Sequence, residues 1–142
     1  MQPYQLNIPT KAYFGRNILK EALKDLESML RGNVLVVTTG RSLIRMGYTD
    51  MLIKMLEQSV FTEKLFMFDQ ISANPKLSEV RKGIQFGKQK NINVVVGFGG
   101  GSAMDAAKAI AVGIGANEEI EEFYVHGKEP GAFTDARASA AL

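Results

Sequence analysis

No cysteine occurs among the 142 residues, and histidine occurs once. The first absence excludes disulfides and thiolate metal sites. The second leaves His126 alone in a loop, where a histidine is far more often a surface group than a ligand, so no complete catalytic metal site can be drawn. Excess charge is also scarce: 17 basic against 15 acidic side chains give a net +2. That is too little to argue for nucleic acid or a membrane surface as a partner. The basic residues between Lys11 and Lys24 alternate with apolar ones and read as a solvated helix face. No apolar run approaches a membrane span, and Met1-Gln2-Pro3-Tyr4 is no signal peptide. A soluble, cytoplasmic protein is the expectation.

What remains is ordinary for a globular chain: 46% hydrophobic and 23% charged residues. This is one domain's worth of sequence, able to bury roughly two-thirds of its unfolded surface. Short β-like runs alternate with amphipathic helical stretches, which predicts an α/β fold with a mostly parallel sheet flanked by helices. Two extended pieces, Gln5 to Ile8 and Lys11 to Phe14, form a short hairpin-like segment around Pro9-Thr10. Ile18, Leu19, Ala22, Leu23, Leu26, Met29 and Leu30 recur at helical spacing, with Gly32 as the stop. Val34 to Thr38 is the β-branched, apolar run of a strand buried on both faces, ending in a turn at Thr39-Gly40-Arg41-Ser42. Leu52, Met55 and Leu56 mark a helix beginning near Tyr48, and Lys64 to Phe68 is a third strand, closed by Asp69. Asn74-Pro75 opens a helix that carries Leu77, Val80 and Ile84 inward and runs to Lys90. Asn93 to Phe98 is the clearest strand, and Ala103 to Val112 is strongly helix-forming. From Gly131 to Leu142 the chain is alanine-rich with no strand, and reads as a short helix or a tail.

The segment that carries chemistry is Gly97-Phe98-Gly99-Gly100-Gly101-Ser102-Ala103-Met104-Asp105. A strand ends in glycines and a helix starts at once. Glycine permits the sharp turn and lets a ligand approach the backbone. The first N–H groups of a helix lack partners within it, and its dipole favours an anion there, so a diphosphate is the natural occupant. Ser102 either caps the helix or donates to a phosphate oxygen. An empty strand-to-helix turn is the plainer alternative. The order differs from the Rossmann fingerprint, because Ser102 stands where a third glycine would, and no Lys-Ser/Thr ending makes it a P-loop.

Gly99-Gly100-Gly101-Ser102-Ala103-Met104-Asp105-Ala106-Ala107-Lys108-Ala109-Ile110-Ala111 resembles the signature of the iron-containing (group III), NAD(P)-dependent alcohol dehydrogenases. Pro9-Thr10-Lys11 with Phe14-Gly15, Thr39-Gly40, Ala73-Asn74-Pro75 with Val80, Ile120-Glu121-Glu122-Phe123 and Gly127-Lys128-Glu129-Pro130 agree in order. The likeness covers roughly residues 5 to 130. It implies a Rossmann-like NAD(P)-binding domain over residues 1–130, followed by an atypical tail at 131–142. It also implies that Gly99, Gly100, Gly101, Ser102, Ala103 and Met104 wrap the cofactor diphosphate. Asp105, on the first helical turn, contacts the ligand or the neighbouring loop. Asn74 lies near the cofactor or caps its helix. The turn Gly40-Arg41-Ser42 meets the adenine ribose. NAD-preferring relatives often carry Asp there, so Gly40 with Arg41 makes NADP acceptable beside NAD, unless Arg41 simply faces solvent.

The resemblance further implies hydride exchange with a small alcohol or aldehyde, assisted by a divalent metal, iron or zinc, acting as Lewis acid. In the family the metal ligands, an Asp and three His, come from a C-terminal all-helical domain that is absent here. The expectation is therefore a dinucleotide-binding part of such an enzyme that does not turn over alone. Two alternatives stand beside it. One is a non-catalytic nucleotide-binding or dimerising remnant, pairing through the N-terminal segment. The other is a glycerol dehydrogenase-like chain; that group and dehydroquinate synthase share the glycine-serine loop.

Overall fold

The apolar run after Gly32 becomes the middle of a sheet, and the other elements follow from covering it. The computed structural model describes residues 10–39, 42–116, 120 and 139–141. Helix α1 (Leu19–Leu26) tightens into a 3-10 turn at Glu27–Met29 and leads into strand β1 (Gly32–Thr39). A short helix α2 (Ser42–Arg45) and helix α3 (Tyr48–Glu57) connect it to β2 (Thr62–Ile71). Then come α4 (Leu77–Gln89), β3 (Val94–Phe98), α5 (Gly101–Gly115) and the short β4 (Ser139–Ala141).

The strand order is β2-β1-β3-β4, and every neighbouring pair is parallel. Side chains alternate between the two faces of each strand. Leu35, Val37, Phe68 and Val95 share one face with Val80 of α4 and Ile110 of α5. Val34, Val36, Val94 and Val96 share the other with Leu23 of α1 and Leu52 and Leu56 of α3. Val34 through Val37 are all fully buried, each contributing about 1.5–3 kcal/mol by area removed from water. The chain leaves β1 in one direction for β2 and returns across it to β3. Two right-handed crossovers in opposite directions must put their helices on opposite faces, as α3 and α4 are. The strand order therefore reverses between β1 and β3. Ligands bind at such a switch point, outside the carboxyl ends of the strands.

Helices α4 and α5 approach closely because glycines meet isoleucines across their contact. A Cβ at Gly83 would collide with Ile110, one at Gly87 with Ile114, and one at Gly113 with Ile84. Gly97 does the same for helix against sheet: its Cβ would lie 2.8 Å from Ala107 Cβ and 3.2 Å from the Met104 backbone. These close fits fix where α5 begins.

Several expectations need correction. Gly32 (φ +91°) does not stop a helix; it opens β1, its N–H donating to the Phe61 carbonyl at 2.8 Å. Leu77 is 41% exposed rather than inward, because the first residue of α4 lies before the helix turns onto the sheet. The buried stripe of α4 is Val80, Gly83 and Gly87. Strand β2 is longer than Lys64 to Phe68, since an edge strand pairs on one side only and tolerates the exposed Glu63, Lys64 and Asp69. A strand also forms where none was expected: Ser139–Ala141 pairs with Val95–Gly97. Alanine and serine carry weak strand propensity, and the unpaired edge of β3 supplies what they lack. Of the hairpin-like segment, residues 1–9 lie outside the described residues, and Lys11 to Phe14 pair with no described strand. Tyr13 and Lys11 instead bond to Asp25 of α1, Lys11 at 3.0 Å.

Candidate functional site: the glycine turn between β3 and α5

At the carboxyl end of β3 the backbone turns through Gly99, whose φ of +144° is open to glycine and strained for other residues. Gly100 follows as the N-cap of α5 in extended conformation, and Gly101 is the first helical residue. Here the two kinds of glycine separate. Gly97 and Gly99 are required from inside, by packing and by φ. A Cβ at Gly100 or Gly101 would meet nothing within 4 Å. Both residues are exposed and have ordinary negative-φ backbone. Neither needs to be glycine for the fold, so the open space in front of them is a cradle that a side chain would fill.

The donors around this cradle are unequal. The N–H groups of Ala103 and Met104 both donate to the Gly100 carbonyl, at 3.0 and 3.2 Å. Those of Gly101 and Ser102 have no backbone acceptor among the described residues and are the orphan donors of the helix start. No acidic residue occupies the first turn of α5, so the positive end of the dipole is uncompensated there. Asp105 is correspondingly past the first turn, not on it. It is largely exposed and pairs with Lys108 at 3.6 Å.

Ser102 neither caps α5 nor points at the cradle. Its hydroxyl donates to the Ala73 carbonyl in the loop after β2. That loop is held from behind by Glu79, whose carboxylate accepts from the Ser72 and Lys76 N–H groups at 3.2 and 3.0 Å and faces the Ser72 hydroxyl at 3.0 Å. These bonds hold the Glu79 carboxyl below its ordinary range, the Lys76 N–H contributing most. Lys76, not Asn74, is the N-cap of α4. Asn74 is exposed beside Ala73, and its carbonyl accepts from the Ser72 hydroxyl at 2.8 Å. Sequence reasoning missed Glu79 because the usual Ser or Thr at the cap is replaced by lysine. An acid three residues into the helix was the available signal.

The turn after β1 comes to the same place. A Cβ at Gly99 would stand 3.7 Å from Thr39 Oγ1 and 3.6 Å from Leu43 Cδ1. Ser42 begins α2 beside it; Gly40 and Arg41 lie outside the described residues. Of the predicted residues, Asn74, Gly99, Gly100, Gly101, Ser102, Ala103 and Met104 therefore gather at the carboxyl ends of β2 and β3. A separate open groove of about 470 Å³ between α1 and α3, floored by Leu23, Leu30 and Leu56, shares no residue with them. It lies on the amino-terminal half of the chain, away from the orphan donors, and has no bearing on the cradle.

No group of three or more His, Cys, Asp or Glu that could hold a metal occurs among the described residues. The described residues do not make a site for a divalent metal. Also among the described residues, no helix is long and apolar enough to cross a membrane.

Fold and glycine turn together define a doubly wound α/β domain of Rossmann-like type. The profile of the family described as "Iron-containing alcohol dehydrogenase" matches residues 9–139, and the chain belongs to that family. The match runs past Pro130, into the alanine-rich stretch expected to be an atypical tail. Among relatives, the chain is 32% identical over 117 residues to NADH-dependent butanol dehydrogenase A of Clostridium acetobutylicum, covering 80% of this chain and 28% of that protein. It is 35% identical over 113 residues to the probable NADH-dependent butanol dehydrogenase 1 of Bacillus subtilis, with the same coverage of both. The crystal structure of NADH-dependent butanol dehydrogenase A from Thermotoga maritima superposes with a TM-score of 0.79 at 26% identity, over 92% of this chain and 32% of that one. The chain thus spans less than a third of the length of these relatives.

Proposed function

We propose that this chain is the dinucleotide-binding part of an alcohol dehydrogenase, holding the diphosphate of NAD(H) or NADP(H) against the start of α5. The observation that carries the reading is the open space in front of Gly100 and Gly101, glycines for which the fold has no use. The N–H groups of Gly101 and Ser102 face an anion with the helix dipole behind them. Gly99 keeps the turn low enough for the ligand to reach them. The NADH-dependent relatives support the class of ligand.

The reaction is hydride exchange between the nicotinamide and a small alcohol or aldehyde. On oxidation the carbinol C–H hydride passes to the nicotinamide ring and the hydroxyl proton leaves to solvent. The described residues contribute binding and orientation only. A metal that would polarise the substrate oxygen finds no set of donors among the described residues, so the chain by itself is expected to bind dinucleotide without oxidising alcohol when iron or zinc is supplied.

Calorimetric titration of the purified chain with NAD⁺ and NADP⁺ tests this. Saturable binding is expected, lost when Gly100→Val fills the cradle while the unfolding midpoint stays put. Binding that survives Gly100→Val, or no binding by the unaltered chain, overturns the assignment.

A further inference from the structure

We infer that Glu79 is a positioning residue for dinucleotide binding, acting through the loop Ser72-Ala73-Asn74 on Ser102. The inference rests on the cradle reading above. A chain of contacts runs from α4 to the start of α5. The Glu79 carboxylate accepts from the N–H groups of Ser72 and Lys76, at 3.2 and 3.0 Å, one on each side of the loop. Between those anchors the Ala73 carbonyl projects to α5 and takes the Ser102 hydroxyl. Ser102 carries one of the two orphan N–H groups of the cradle. The Ser102 hydroxyl thus ties the helix start to the loop, and the loop end of that bond is set by the Glu79 side chain.

The arrangement does more than cap a helix. Capping α4 needs only the Lys76 N–H, which Glu79 already satisfies in the usual way for an acid at this position. The bonds to Ser72 add nothing to α4. They reach back to the first residue after β2 and close the loop into a fixed shape. Closing it costs the loop its conformational freedom before any ligand arrives, so that cost is not charged to binding. It also engages the Ser102 hydroxyl with protein, leaving its N–H as the group directed at phosphate.

The positions of α4 and α5 do not depend on this relay, because their contact is set by Gly83, Gly87 and Gly113 against isoleucines. Replacing Glu79 should therefore loosen the loop without moving the helices.

The test is NAD⁺ titration of the full chain, well below the unfolding midpoint of each variant. Glu79→Ala is expected to weaken binding about three- to tenfold, the net worth of a hydrogen bond or slightly more. Glu79→Gln, whose amide oxygen can still accept, should restore most of the affinity. Ser102→Ala should weaken binding comparably, and the double variant should be no weaker than the worse single one, as expected when two residues act in series. Ser72→Ala, which leaves the α4 cap intact, should move affinity in the same direction by a smaller factor. Unchanged affinity in Glu79→Ala would overturn the inference, as would full additivity with Ser102→Ala, while leaving the cradle standing. Loss of binding in the unaltered chain would instead remove the cradle itself.

Discussion

Ile84 of α4 occupies the volume that a Cβ on Gly113 of α5 would need. The relation is repeated with the roles exchanged one turn away, where Ile110 of α5 sits over Gly83 of α4. Each helix thus supplies both the knob and the hollow. Glycine is a poor helix residue, less favourable than alanine by about 0.8–1.0 kcal/mol in a helix interior, and α4 and α5 carry glycine at these positions despite that.

Alanine at Gly113 follows as a stability test. It would gain helix propensity but meet three carbon atoms of the branched Ile84 side chain, two of them closer than 3.0 Å, so that side chain must shift. Overpacking of this kind costs about 1–3 kcal/mol, so the crowding wins and Gly113→Ala should lower the denaturation midpoint. Ile84→Ala opens the space. In the double variant Gly113→Ala should become neutral or favourable, a coupling that urea melts of the four proteins would measure.

Acid should loosen the chain through two carboxylates. Glu79 is held below its ordinary value near 4.5 by the Lys76 and Ser72 N–H groups. Asp25 is held below its ordinary 3.8 by the Tyr13 hydroxyl first and by Lys11 second. A carboxyl with a depressed folded pKa contributes stability that is fully present above its unfolded pKa and lost as pH falls through the folded one. Urea midpoints should therefore fall from about pH 5 to pH 3, and less steeply in Glu79→Gln and in Asp25→Asn. High salt should shrink the Lys11 share of the Asp25 effect, since that pair is exposed. An acid limb identical in all three proteins would show that neither carboxylate is responsible.

Cofactor preference has its own test at the turn after β1. Gly40 follows a strand whose end adjoins Gly99, and a carboxylate at that turn accepts from the ribose hydroxyls and repels a 2′-phosphate. Gly40→Asp should thus leave NAD⁺ binding intact or improved and weaken NADP⁺ by about tenfold or more, the size of a lost charge-assisted contact. Equal effects on both dinucleotides would remove this turn from the ribose site.

The sheet and the glycine turn were legible because their signals are local. Val34 to Thr38 and Asn93 to Phe98 are short apolar runs of the kind buried on both faces of a parallel sheet, and three glycines at a strand end announce the start of a helix. What escaped was set by contacts between distant residues. Gly83, Gly87 and Gly113 look like blemishes in helices until the opposing isoleucines are in place. Ser102 reads as a cap by its position, yet the Ala73 carbonyl, 29 residues away, claims its hydroxyl. Strand β4 forms from Ser139, Ala140 and Ala141 because β3 offers an edge, which no propensity of those residues would suggest.

Thr38 presents the last case, a hydroxyl in the core. It ends the apolar run of β1 fully buried, on the face of Val34 and Val36, and its Oγ1 has no hydrogen-bond partner among the described residues. Burying an unsatisfied hydroxyl costs about 1–3 kcal/mol, whereas valine has nearly the same shape and no polar atom. Thr38→Val should therefore raise the urea midpoint, by an amount equivalent to about 1 kcal/mol. Because Thr39 next to it adjoins the glycine turn, the same variant should bind dinucleotide as the unaltered chain does. A loss of stability of similar size would show that the hydroxyl is satisfied in solution. Loss of binding alone would show that it donates to the ligand, which would bring a fully buried side chain of β1 into the switch-point site.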